Sequence, residues 1–233
     1  MRVVVEESAP HRIVTLGIGP AGQLVNIDEV SDAGIARSLA NLMGRVCRED
    51  GFSGTMMVAR DGRPLFQHAC GLANRADSVP MKLDTRLNLG SMNKMVTAVA
   101  IAQLVEEGKL TFDDAVGEHL VDYPNADVRN KVRIHHLLTH TSGLGSYFNE
   151  EFMNASRTRF RSVRDFMALV EKENLAFEPG TRWAYSNSGF MLLGAIIERV
   201  SGMSYFDYVR ERIFQPAGMT DTDSYEMDDV VPN

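Results

Sequence analysis

Leu89-Gly90-Ser91-Met92-Asn93-Lys94 sets a hydroxyl and an amine three residues apart, just ahead of an apolar run from Met95 to Val105. If Ser91 opens a helix, that spacing puts both side chains on one face with their heads close together. A free serine hydroxyl is a weak nucleophile and needs a neighbour to take its proton. A lysine one turn away can take it, or can lower the pKa of another base. The helix N-terminus also favours negative charge developing beside Ser91. The same residues suit a plainer arrangement, Ser91 as an N-cap and Lys94 as a first-turn surface residue, because S-x-x-K is short enough to arise by chance. Catalysis needs a second group.

Tyr185-Ser186-Asn187 offers one, between a turn at Glu178-Pro179-Gly180-Thr181 and an apolar helix from Phe190 to Val200. Tyrosine is a feeble base at pH 7, since its reference pKa lies near 10. A lysine ammonium beside it favours the phenolate and lowers that value. Tyr185 can then take the Ser91 proton and return it to the leaving group. Asn187 donates and accepts, which suits holding Lys94 or a substrate amide. Packed on a core, the same tyrosine would be structural and the asparagine would cap the next helix.

These groups must be carried by elements with the right stiffness. Met95 to Val105 holds no charge, and only Thr97 and Gln103 interrupt its apolar residues, so it reads as a helix buried on nearly every side. Upstream, Asp28 to Asp50 is helical in pattern, with Ile35, Leu39, Leu42, Met43 and Val46 on one side. Thr55–Arg60 and Arg63–Cys70 flank Asp61-Gly62, a strong hairpin signal. Arg2–Val5 and Arg12–Gly17 read as short strands, and 71–80 as loop. Downstream, short helices are expected over Ile134–Leu138, Val163–Glu173 and Tyr205–Phe214.

Composition narrows the partners. The 233 residues are 44% hydrophobic and 24% charged, as in ordinary globular chains, and the net charge of −7 comes without a Lys/Arg cluster. That argues against nucleic acid or an anionic membrane as partner. No run approaches the roughly 18 apolar residues of a membrane span, and the N-terminus lacks a signal-peptide pattern, so a cytoplasmic location is expected. Cys47 and Cys70 read as two ordinary thiols. Gly17-Ile18-Gly19-Pro20-Ala21-Gly22 matches G-x-G-x-x-G but lacks a convincing helix and second strand after it, so a Gly/Pro turn is preferred to a dinucleotide site. His136 and His140 sit four apart without H-E-x-x-H, which disfavours zinc, and neither G-x-S-x-G nor a P-loop occurs. Asp221, Asp223, Asp228 and Asp229 read as a solvated acidic tail.

Taken together, Ser91-Met92-Asn93-Lys94 and Tyr185-Ser186-Asn187 resemble the S-x-x-K and Y-x-N motifs of the serine β-lactamase and penicillin-binding-protein superfamily. The resemblance is to its class C-like branch, with family VIII esterases and D-aminopeptidase-like hydrolases. His136 to Leu144, Phe177-Glu178-Pro179-Gly180 and Phe190 to Glu198 match in order, and the likeness covers roughly residues 30 to 225. It implies an α+β, β-lactamase/transpeptidase-like fold, a helical domain packed on an antiparallel sheet. It also implies attack by Ser91 on a small-molecule ester, amide or lactam, with Lys94 and Tyr185 sharing the proton, Asn187 binding substrate, and neither metal nor cofactor. Esterase-type chemistry is expected first, with β-lactamase or D-alanyl-D-alanine peptidase activity as the alternative. A catalytically weak or inactive piece of the fold is a further reading.

One departure stands out. The family's third motif, K-T-G or H-x-G, lies on a later strand, and beyond Asn187 this sequence has neither lysine nor histidine. Residues 28–233 are therefore expected to form the hydrolase domain truncated before that strand, with an incomplete sheet whose bare edge invites self-association. Residues 1–27 read as N-terminal strands or linker, the tail of an upstream module.

Overall fold

The computed structural model describes residues 2–5, 13–17 and 31–226. They divide into two compact units, residues 1–85 and 86–233.

In the first unit, β1 (Arg2–Val5) pairs antiparallel with β2 (Ile13–Gly17). The G-x-G-x-x-G stretch beyond Gly17 lies outside the described residues. Helix α1 (Asp32–Arg48) starts where Ser31 Oγ accepts the Gly34 N–H at 3.2 Å, four residues later than Asp28. Of its expected apolar face, Met43 is buried and Leu42 is exposed. Strands β3 (Gly54–Arg60) and β4 (Arg63–Cys70) form the expected hairpin. Asp61 and Gly62 both take positive φ, 50° and 74°, as the favoured two-residue turn requires. Among the described residues neither strand pairs with a third.

Two expectations are corrected here. Residues 71–80 are not all loop: β5 (Leu72–Asn74) pairs with β6 (Val79–Pro80). The two cysteines are not free thiols, for α1 and β4 pack together and join Cys47 to Cys70 in a disulfide. Residues 23 apart in sequence gave no local sign of that proximity.

The second unit is helical. Its elements are α2 (Asn93–Glu106), α3 (Val116–His119), α4 (Ala126–Lys131), α5 (Ile134–Leu138), α6 (Glu150–Asn154), α7 (Val163–Val170), α8 (Asn187–Ser201) and α9 (Tyr205–Val209), which runs on into a π-helical turn, Arg210–Phe214. Helix α8 is the hub. Its Leu192, Leu193, Ile196 and Ile197 are fully buried among Ala100, Ile101 and Leu104 of α2, Ile134 and Leu137 of α5, and Val170 of α7. It ends at Gly202, whose φ of 73° makes the left-handed cap. A smaller aromatic cluster of Tyr147, Phe152, Phe160 and Phe166 anchors the loop before α6.

Helix α2 differs from its expected burial. Thr97, Ala100, Ile101 and Leu104 face the core, but Met95 and Val99 on the other side are 59% and 45% exposed. Uniform hydrophobicity could not show which face is covered. The acidic stretch is also more than a solvated tail: Asp221 pairs with Arg86 at 3.1 Å and Asp223 with Arg210 at 3.0 Å, while Asp228 and Asp229 lie outside the described residues. The architecture is of the expected α+β class, with helices and small antiparallel sheets among the described residues.

The contrast between the two faces of α2 and the hub is measurable. Leu193→Ala is expected to cost about 2–5 kcal/mol through lost burial and a residual cavity. Met95→Ala should cost less than about 0.5 kcal/mol, as an exposed site does. Urea titrations showing a large midpoint shift for the first and a small one for the second check the assignment.

Candidate active site

Asn88 shapes the approach to Ser91. Its side-chain oxygen accepts the Gly90 N–H at 2.7 Å, and Gly90 takes φ 53°, a left-handed turn that glycine adopts without strain. The chain then enters a 3-10 turn, Gly90–Met92, rather than the first turn of an α-helix. Lys94 follows in the first turn of α2, three residues on and on the same side, with Nζ 3.4 Å from Ser91 Oγ. Ser91 also sits where the N–H groups of a helix start have no intrahelical acceptor.

The second strand of the site comes from α8, ninety residues on. Ser186 is its N-cap: the buried Oγ accepts the Gly189 N–H at 2.9 Å and donates to the Gly145 carbonyl at 2.9 Å. Asn187 thus occupies the first turn, three residues earlier than the expected start at Phe190. The Lys94 ammonium donates to Asn187 Oδ1 at 2.8 Å, and Asn187 Nδ2 donates to Ser146 Oγ at 3.0 Å. Tyr185 precedes the cap, and its hydroxyl lies 2.6 Å from Ser91 Oγ. Lys94 Nζ also stands 4.8 Å from the centre of the Tyr185 ring. The structure therefore brings together all four residues singled out in the sequence, Ser91, Lys94, Tyr185 and Asn187.

Electrostatics follow from that grouping. Hydrogen bonding to Lys94, and then to Ser91, holds the Tyr185 phenol below its usual value of 10.0; burial opposes this, and the Lys94 charge adds a lesser lowering. Tyr147 nearby goes the other way, raised chiefly by burial. Of the two phenols, only Tyr185 is placed and tuned to accept a proton from Ser91.

Sequence reasoning missed the residue that holds Tyr185. His140 has φ 60°, and its backbone carbonyl accepts the Ala184 N–H at 2.9 Å while its Nδ1 accepts the Ser186 N–H at 3.1 Å. Both neighbours of Tyr185 are tied to one residue, and the His140 ring lies 4.5 Å from the Tyr185 ring. Burial, then the Lys94 charge, lowers the His140 pKa, which keeps Nδ1 an acceptor. His136 Nδ1 similarly accepts the Arg133 N–H at 3.1 Å. Each of the two rings accepts a backbone N–H through Nδ1. Glu173 was missed as well; it accepts the Gly145 N–H at 2.9 Å and the Ser188 hydroxyl, fixing the loop that carries Ser146. A cavity of about 230 Å³ opens beside Lys94 and Asn187, walled by Tyr147, Phe166, Phe190 and Tyr205.

The family model named Beta-lactamase matches residues 35–232 of this sequence. The chain belongs to that family. Penicillin-binding protein 4* of Bacillus subtilis is 39% identical over 176 residues, covering 75% of this chain and 38% of that protein. Esterase EstB of Burkholderia gladioli is 36% identical over 203 residues, covering 81% of this chain and 51% of its own length. The solved penicillin-binding protein of Bacillus halodurans superposes with a TM-score of 0.71 at 38% identity, over 81% of this chain and 57% of that one. This member of the family thus spans about a third to a half of the length of the curated relatives it matches.

Three outcomes follow from the geometry. Acylation of Ser91 by an activated ester, followed by stopped flow, should rise with pH as Tyr185 loses its proton, with a midpoint below 10. Lys94→Met removes the cation that favours phenolate, so the midpoint should move up and the rate at neutral pH should fall. His140→Ala removes the imidazole that accepts the Ser186 N–H and stands beside the Tyr185 ring, leaving the backbone bond to Ala184, and a displacement of Tyr185 by about 1 Å is expected to cost on the order of 10²-fold in that rate.

Proposed function

We propose that the chain carries the acylating half-site of a serine hydrolase acting on small ester or amide substrates, esterase-type in preference. The observation that carries this is the 2.6 Å contact between Tyr185 and Ser91 with the Lys94 ammonium beside both. The Tyr185 phenolate takes the Ser91 proton as Oγ attacks the carbonyl, and the Ser91 backbone N–H at the helix start donates to the developing oxyanion. The tetrahedral intermediate collapses, Tyr185 returns the proton to the leaving alcohol or amine, and the acyl group stays on Ser91. Water, deprotonated by Tyr185, attacks the acyl-enzyme, and Tyr185 returns that proton to Ser91 Oγ as the acid leaves. Asn187 holds Lys94 in place and presents its amide to the substrate.

Among the described residues no helix is long and apolar enough to cross a membrane. A cytoplasmic location remains part of this reading, and the Cys47–Cys70 bridge is its counterweight, because structural disulfides persist in oxidising compartments. Self-association through an unpaired edge of the β3–β4 hairpin also belongs to the reading, as does a domain at 28–233 with 1–27 serving as linker.

β-Lactamase or D-alanyl-D-alanine peptidase activity is the second reading, favoured by the likeness to penicillin-binding proteins. A weak or inactive site is the third. Its support is the absence of lysine and histidine beyond Asn187, which leaves this sequence without a K-T-G or H-x-G motif. Losing one oxyanion donor costs about 10²–10³ in rate.

A fluorophosphonate probe is expected to label the wild-type chain at one site, and Ser91→Ala to abolish the label. Hydrolysis of a short-chain p-nitrophenyl ester should exceed that of a chromogenic cephalosporin. Preference for the cephalosporin selects the second reading, and no Ser91 labelling selects the third.

A further inference from the structure

Outside the active site, one cluster of ligand-bearing side chains stands apart. His68 and Cys70 are two residues apart on β4 and so project from the same face of the strand. Helix α1 packs against that strand and brings Cys47, in its last turn, to the same place. Cys47 Sγ, His68 Nε2 and Cys70 Sγ all lie within 4.8 Å of one another, and each residue is half-buried, sheltered but reachable from solvent. In the oxidised chain the two sulfurs are bonded to each other.

We propose that the reduced form of this cluster is a zinc site, with Cys47, His68 and Cys70 as its three protein ligands and water in the fourth position. Zinc binds thiolate at about 2.3 Å and imidazole at about 2.0–2.1 Å in tetrahedral geometry. Two such ligands therefore stand roughly 3.5 Å apart around one ion. Cys47 Sγ and His68 Nε2 are already 3.6 Å apart. Two thiolates on one zinc stand about 3.8 Å apart, a separation that the sulfurs reach by side-chain rotation once their bond is broken. The Cα atoms, 6.0 Å apart, stay where α1 and β4 hold them. Two thiolates and one imidazole form a borderline-soft set that suits zinc over calcium or magnesium, which take oxygen ligands.

Opening the site takes a dithiol reductant. One of its thiolates attacks a sulfur of the Cys47–Cys70 bond and expels the other as thiolate. Its second thiol resolves the mixed disulfide, leaving two cysteine thiols and the reductant as an internal disulfide. The reductant supplies both electrons and both protons. Zinc then displaces the two thiol protons, so affinity falls as pH falls. Disulfide and zinc use the same sulfurs and exclude each other.

The test uses the full 233-residue chain, reduced with a dithiol, freed of it under anaerobic conditions, and titrated with Zn²⁺ against a chromophoric chelator. One equivalent is expected in the reduced chain and none in the oxidised chain. Cobalt in place of zinc should give thiolate-to-metal charge-transfer absorption. Cys47→Ser/Cys70→Ser should abolish binding, and His68→Ala should weaken it by about tenfold or more while keeping the charge-transfer band. Far-UV circular dichroism run alongside shows whether each chain is folded. A reduced wild-type chain that takes up no more zinc than the double serine variant, folded or not, overturns the proposal. None of these readouts involves Ser91, so the outcome is independent of the hydrolase reading.

Discussion

The packing of α8 against α2 is the constraint on which the site depends. Ser91 and Lys94 belong to the start of one helix, and Tyr185 and Asn187 to the start of the other. Nothing local joins them across more than ninety residues of chain. Leu192, Leu193, Ile196 and Ile197 on one side, with Ala100, Ile101 and Leu104 on the other, fix the distance between the helices and hence between their N-termini. At that junction the Lys94 ammonium meets Asn187 and Ser91 and faces the Tyr185 ring. A charge so placed costs desolvation, and the polar contacts around it offset that cost.

Positioning Tyr185 is a task of the loop before α6 and the turn before α8 together. Ser186 fastens the N-terminus of α8 to Gly145, Glu173 fastens Gly145 and Ser188, and His140 fastens the residues on either side of the tyrosine. Gly143 completes the arrangement. With φ 83°, it lets the chain pass so near Phe177 that a Cβ there would fall 2.5 Å from the Phe177 carbonyl oxygen. A phenol that must meet a hydroxyl at hydrogen-bonding distance gains more from this bracing than from its own burial, since Tyr185 stays partly open to solvent, where a substrate must enter.

The first unit shows how differently cysteine reads in sequence and in space. Two cysteines 23 residues apart carry no framework pattern, yet a helix terminus and a strand bring them into one cluster with a histidine. Their chemistry then depends on redox state, a variable that composition alone does not contain.

The sequence by itself pointed to the four side chains that meet where α2 and α8 begin, and to most of the elements that bear them. S-x-x-K and Y-x-N were legible because their function lies in fixed local spacing, and the Asp61-Gly62 hairpin because its turn demands positive φ at both residues. Helices α5 and α8 were legible from apolar periodicity, as was most of α1. Only the tertiary structure decided which face of α2 is covered, that His140 braces Tyr185, that Cys47 meets Cys70, and that 71–80 contains a short strand pair. All but the last are contacts between distant segments. Sequence periodicity records which residues avoid water, whereas the choice of neighbour is made by packing the whole chain at once.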